Sequence, residues 1–260
     1  MTILEVCIDS YEKGVQACLN GAKRLELCSD LALEGFTPSE ELIEEFMRDV
    51  LRRSDDNEVI PIHVMIRPIK RDSNILDTFC YDSNDLQIMK EQIRMCRKLI
   101  DLHAVEKSRF KIEGFVIGCI KKENGGIIID TEILKELCET IQENNGHFNI
   151  TFHKAFDLLT HPAESLDILL QFGINRILTS LCFAYTDLKG KITAALESNN
   201  SQVDQFLKHL KEINQHQTVM TLLIGGGVRE CNQLSIINFM NQNAIIPFEL
   251  HSSTPFLTIN

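Results

Sequence analysis

The chain has 260 residues, 44% hydrophobic and 24% charged, the balance of an ordinary globular protein and a length that suits one barrel domain over residues 1–260. Its net charge of −11 argues against nucleic acid or an anionic membrane as partner. No apolar run reaches the ~18 residues of a membrane span, and Glu5 and Asp9 interrupt any signal-peptide core, so a cytosolic location with room for a nuclear share is expected.

Short apolar runs alternate with helical patterns from end to end. The expected strands are Ile3–Asp9, Lys23–Cys28, Ile60–Arg67, Gly114–Cys119, Phe148–His153, Arg176–Ser180, Val219–Gly225 and Ile245–Ser252. A helix over Ser39–Arg53 starts beside Pro38, where a missing N–H costs little. Leu86, Met89, Ile93, Cys96 and Ile100 mark one helical face, and Leu134, Leu137, Cys138 and Ile141 another. Asp130 and His161-Pro162 open two helical stretches, and Asn144-Asn145-Gly146 reads as a turn. Ser54–Glu58, Asp72–Asp85 and Glu197–Gln202 read as polar loops. Eight β-then-α units imply parallel strands, and eight close a TIM-type (β/α)8 barrel. Only Thr254–Asn260 follow the last strand, so its helix is expected to be missing or replaced.

Alternation along a strand sorts side chains between the barrel interior and the layer under the helices. Leu4, Val6 and Ile8 oppose Glu5, Cys7 and Asp9; Leu25 and Leu27 oppose Arg24, Glu26 and Cys28; Ile62, Val64 and Ile66 oppose His63, Met65 and Arg67. Ile150 and Phe152 oppose Thr151 and His153, while Phe248 and Leu250 oppose Glu249, His251 and Ser253. The apolar faces suit packing under helices, which leaves Glu5, Glu26, His63, Arg67, His153, Glu249 and His251 inside. Buried charges are costly unless paired or solvated. Two arrangements satisfy them: a closed ion-pair layer, with Arg24 against Glu5 or Glu26, or a ligand pocket at the C-terminal rim.

For the pocket, Glu5, Glu26, His63, Arg67, His153, Asp157 and His251 are the candidate residues, the histidines being suited to proton transfer near neutral pH. Gly225, Gly226 and Gly227 after the seventh strand, with Ser252 and Ser253 at the end of the eighth, lie where barrels often hold phosphate. Arg67 would clamp two anion oxygens at once. The glycines equally suit a tight turn. No lysine occupies an inward strand end, Lys154 having outward parity, so a Schiff-base mechanism is not expected.

The nine cysteines cannot all pair within one chain, and no C-x-x-C occurs, so free thiols rather than a zinc ribbon or a dithiol redox site are expected. Cys7 and Cys28 each follow a glutamate at the same spacing on neighbouring strands. Both are expected to point inward near the mouth, where soft sulfur suits Cu(I) or another soft metal. Two small buried hydrophobes are the other reading, and it holds for Cys18, Cys96 and Cys138 on apolar helix faces.

These segments together resemble the CutC copper homeostasis family. The matching stretches are Leu4-Glu5-Val6-Cys7, Arg24-Leu25-Glu26-Leu27-Cys28, Glu34-Gly35-Phe36-Thr37-Pro38-Ser39 and His63-Val64-Met65-Ile66-Arg67-Pro68. They continue through Phe152-His153-Lys154-Ala155-Phe156-Asp157, Arg176-Ile177-Leu178-Thr179-Ser180, Gly225-Gly226-Gly227-Val228-Arg229 and His251-Ser252-Ser253. The resemblance implies a TIM-like barrel, Cu(I) held by Cys7 and Cys28, a role in buffering or transferring copper in the cytosol, and homo-oligomers. The alternative is an enzyme acting on a small phosphorylated or carboxylated metabolite at the mouth. The sequence departs from the family where Leu181-Cys182 replace the usual glycines, and where Ile69-Lys70-Arg71-Asp72 open a longer loop after Arg67.

Overall fold

Ten strands and eight α-helices follow one another along the chain in the computed structural model, which describes residues 2–49, 59–69, 77–104, 108–183, 191–197, 200–215, 219–243 and 246–256. β1 (Leu4–Ile8), β2 (Arg24–Leu27), β3 (Ile60–Met65), β4 (Phe110–Ile117), β7 (Asn149–Phe152), β8 (Arg176–Thr179), β9 (Thr221–Ile224) and β10 (Phe248–Ser252) form a closed barrel in that order. Every pairing in it is parallel, and Leu4 pairing with Leu250 closes the ring. Parallel strands need covered crossovers, and the helices supply them.

α1 (Tyr11–Leu19), α2 (Glu40–Met47), α3 (Ser83–Leu102), α4 (Thr131–Ile141), α5 (Pro162–Gln171), α7 (Ser201–Gln215) and α8 (Gln233–Asn243) each follow one of the first seven barrel strands, with a short extra α6 (Ile192–Glu197) before α7. No helix follows β10 among the described residues. Met89, Ile93, Cys96 and Leu99 of α3, and Leu134, Leu137, Cys138 and Ile141 of α4, are buried against the strands' apolar faces. Asp130 caps α4 by accepting from Ile133 N, and Pro162 opens α5. α2 is capped by Ser39 and ends at Met47, well short of Arg53, which lies outside the described residues. The expected loop Ser54–Glu58, the stretch Lys70–Asp72 and the last four residues of Thr254–Asn260 also lie outside them, as do parts of Asp72–Asp85 and Glu197–Gln202.

Two features were not expected. β4 begins at Phe110 rather than Gly114, and its register with β3 slips at Ile62/His63, setting Gly114 opposite His63. After β4, β5 (Ile120–Glu123) and β6 (Gly126–Ile129) form an antiparallel hairpin at the C-terminal end of the barrel. Asn124 (φ 50°) and Gly125 (φ 81°) form its two-residue turn, and Asn-Gly between apolar runs is the sequence signal for such a turn.

Candidate functional site

The inward faces of the strands build two polar layers. The lower is an ion-pair ring of alternating charge. Arg24 contacts Glu249 at 2.5 Å and Glu5 at 3.3 Å; Arg176 contacts Glu249 at 2.9 Å and Glu5 at 3.4 Å. Two guanidinium groups facing two carboxylates offset the desolvation that isolated charges would suffer. Burial works against the Glu249 charge, but Arg24 and Arg176 prevail and hold its carboxyl below the usual range. Arg24 thus pairs with Glu5 and Glu249, not with Glu26, because β1 and β2 are staggered so that Glu5 stands level with Arg24 and Cys7 with Glu26.

Above the ring lies a cavity of about 470 Å³. Cys7, Glu26, Met65, Arg67, His153 and His251 line it from the strand ends, with Gly226, Gly227, Ser252 and Ser253. Lys154, Lys191 and Arg229 join them from the loops, and Leu31, Glu34 and Phe79 from the segments that roof it. The expected candidates therefore divide. Glu5 and His63 lie in the barrel interior without lining the cavity, their ionisable atoms 3.6 Å apart. Asp157 is turned away from it. Its carboxylate accepts from Thr179 Oγ1 (2.5 Å), Ser180 N (2.9 Å) and Ser180 Oγ (2.6 Å), tying off the end of β8. Gly225 continues the β9 ladder, donating to Thr179 O, so the lining glycines are Gly226 and Gly227. Lys154 corrects the parity argument: the strand stops at Phe152, and a 3-10 turn over Lys154–Leu158 brings the lysine to the cavity.

One wall is sulfur-rich. Cys7 Sγ lies 3.6 Å from Cys28 Sγ and donates to Glu26 Oε1 at 3.0 Å. Met65 packs beside both cysteines. Cys28 stands two residues beyond the one opposite Cys7, because the barrel stagger pairs Cys7 with Glu26. Gly35 (φ 78°) lets the roofing segment lie on Cys28, since a Cβ there would come within 3.2 Å of its sulfur. Glu26 in turn meets His251 Nε2 at 3.3 Å. Ligand atoms of Cys7, Glu26 and His251 all lie within 4.8 Å of one another. The hydrogen bond to Cys28, burial and the neighbouring Glu26 push the Cys7 thiol well up. Burial opposes the charges on Glu26 and His251, yet each overcomes it for the other: the carboxyl is held down and the imidazole raised.

Beside the sulfur wall lies a stack. Arg67 sits between Phe36 and Phe79, 4.7 Å from each ring centroid, and donates to Leu33 O and Gly35 O. His153 packs on Phe79 at 4.9 Å. Its Nδ1 accepts from Ala155 N, which places the ring proton on Nε2. Burial and the nearby Arg67 charge push His153 down to about 3, so the ring is neutral near pH 7. Burial does the same to His63, also down to about 3. Glycines make room for both rings: a Cβ on Gly118 would meet His153 Cε1 at 2.3 Å, and one on Gly114 would meet His63 Cδ2 at 2.8 Å.

Sequence reasoning missed Arg176, Phe79, Lys191 and Arg229 as parts of these layers. The inward parity of Arg176 with Leu178 was available as a signal; the loop residues carried none.

A (β/α)8 barrel whose mouth joins two thiols to a carboxylate–imidazole pair defines the class of protein. The chain belongs to the CutC family, whose match runs over residues 2–254. It is similar to a CutC family protein of Photobacterium profundum, 39% identical over 69% of this chain and 61% of that protein. It is similar also to the human copper homeostasis protein cutC homolog, 33% identical over 69% of this chain and 54% of that protein. These matches thus span little more than half the length of the two relatives. The mouse homolog is 31% identical over 90% of this chain and 69% of its own length. The solved CutC of Streptococcus agalactiae superposes with a TM-score of 0.65 at 25% identity, covering 97% of this chain and 99% of that one. The tryptophan synthase A-subunit of Pyrococcus furiosus shares the fold alone, with a TM-score of 0.50 at 13% identity over 97% of this chain and 87% of that one.

Proposed function

We propose that the protein takes up Cu(I) at the sulfur wall of the cavity and buffers or passes it on in the cytosol, as a homo-oligomer. The observation that carries the reading is the 3.6 Å approach of the buried Cys28 to Cys7, which lines the cavity wall. Soft thiolates with a thioether beside them are a donor set that selects Cu(I) over harder ions. The copper homeostasis names of the human and mouse relatives support the same cargo.

The chemistry follows from the protons. A thiol must lose its proton to bind metal. Cys7 already directs its S–H at Glu26 Oε1, so Glu26 is the group that receives the proton as copper arrives. His251 Nε2 lies 3.3 Å from the other oxygen of that carboxylate. Because the Cys7 thiol is pushed up, copper competes with protons, and apparent affinity rises with pH by up to about tenfold per unit for each proton released.

The test is Cu(I) titration against a chromophoric competitor. A Cys7→Ser, Cys28→Ser double variant should lose the tight site while keeping its circular dichroism spectrum. Unchanged stoichiometry and affinity in that variant would remove this pair as the site.

A further inference from the structure

We propose that the same cavity also holds a second site, for a small phosphate ester whose far end carries a hydrogen-bond acceptor such as a carboxylate.

The first observation is charge. The chain as a whole has 37 acidic against 26 basic residues. Its cavity reverses that balance: among the described residues, Arg67, Lys154, Lys191 and Arg229 line it against two carboxylates, Glu26 and Glu34. Glu26 is already engaged by His251 and Cys7. An acidic protein that gathers cations around one concavity concentrates anions there.

The second observation is backbone. Gly226 (φ 76°) and Gly227 (φ 90°) hold a conformation other residues rarely adopt. The β9 ladder ends at Gly225 N, and none of the described residues accepts the N–H of Gly226 or Gly227. Lys191 is pinned beside them. Ile192 N donates to Gly226 O, Cys182 Sγ donates to Lys191 O, and the Lys191 stem lies 3.6 Å from where a Gly227 Cβ would stand. Free N–H groups in a glycine turn beside a lysine form a phosphate cradle, and the loops after the last two barrel strands are the usual place for one.

The third observation sets the far end of the ligand. His153 Nε2 and Arg67 Nε are buried with no partner among the described residues, on side chains only 3% and 4% exposed that line the cavity. Both are donors: Nδ1 of His153 is occupied as an acceptor, and a guanidinium has no acceptor at all. Buried donors left unmatched are costly, and an acceptor on the ligand relieves that cost. Ser252 contributes less than its position suggests, because its hydroxyl already donates to Val228 O and accepts from Thr254 N.

The experiment is isothermal titration of the copper-free protein with inorganic phosphate, phosphoglycolate and acetate. Phosphoglycolate should bind with Kd below about 1 mM, more tightly than phosphate, and acetate weakest. Arg229→Met and Lys191→Met, both on exposed side chains, should each weaken phosphoglycolate about tenfold. Arg67→Lys should narrow its advantage over phosphate. No binding by either phosphate probe, equal binding of acetate, or affinities untouched by Arg229→Met and Lys191→Met would overturn the proposal. Cu(I) titration of the same variants is scored separately, so failure of the anion site and failure of the copper site are told apart.

Discussion

Leu181 occupies a left-handed backbone position (φ 58°) and is fully buried. A leucine there is strained by about 1–2 kcal/mol relative to glycine. Losing its buried side chain costs more, about 2–5 kcal/mol by analogy with Leu→Ala. Leu181→Gly should therefore destabilise the protein by about 1–3 kcal/mol, seen as a lower denaturant midpoint at unchanged slope; a stabilised variant would show that strain outweighs packing here. Gly118 poses the opposite problem. An added Cβ would lie 2.3 Å from the His153 ring, so Gly118→Ala should cost about 1–3 kcal/mol of overpacking and move the His153 ring resonances. Unshifted imidazole signals would mean that the backbone, not the histidine, gives way.

Among the elements, α3 is the longest helix, at 20 residues, and depends on its first turn. Asp82 accepts from Asn84 N and Asp85 N, while the Asp85 side chain accepts from Asp82 N, a reciprocal cap. The cap is exposed, so Asp82→Ala should remove about 1 kcal/mol, measured by urea unfolding, with Cu(I) binding unchanged. The apolar faces of α3 and α4 were legible because apolar residues recurring about every 3.6 positions line one side of a helix and would scatter over both sides of a strand. The β5–β6 hairpin had an Asn-Gly signal, but Ile120–Ile129 carries no alternation of core and solvent faces strong enough to set it apart from the strand before it. Lys154 was misjudged for a related reason: parity holds only while the strand lasts, and the strand ends two residues earlier.

For the whole molecule, the buried neutral histidines couple folding to pH. His63 and His153 are held at about 3 when folded, against about 6.5 when unfolded. Below pH 6.5 the unfolded chain takes protons that the folded chain refuses. Their stabilising effect is complete above pH 6.5 and is lost as pH falls toward 3, at about 1.4 kcal/mol per pH unit for each imidazole. His251 runs the other way: its raised value stabilises below pH 6.5 and is lost as pH rises through its folded value. Unfolding at pH 5 should take up close to two protons from His63 and His153 together, and His63→Gln should remove about one of them from the measured uptake. Uptake unchanged in His63→Gln would show that this histidine is already protonated in the fold.

The sequence by itself determined the barrel, because eight repeats of a short apolar run and an amphipathic helix can bury both layers in few other ways. Strand parity also determined that Glu5, Glu26, His63, His153 and His251 point inward, since alternation is a property of the extended backbone alone. Only the tertiary structure decided which of these meet. The stagger between β1 and β2 sets Glu5 level with Arg24 and Cys7 level with Glu26, which separates an ion-pair floor from a thiol-lined cavity. An ion-pair layer and a cavity both form, one above the other. Tertiary structure also decided where Lys154, Lys191, Arg229 and Asp157 lie, because loop residues have no periodicity and their positions follow from the closure of the ring.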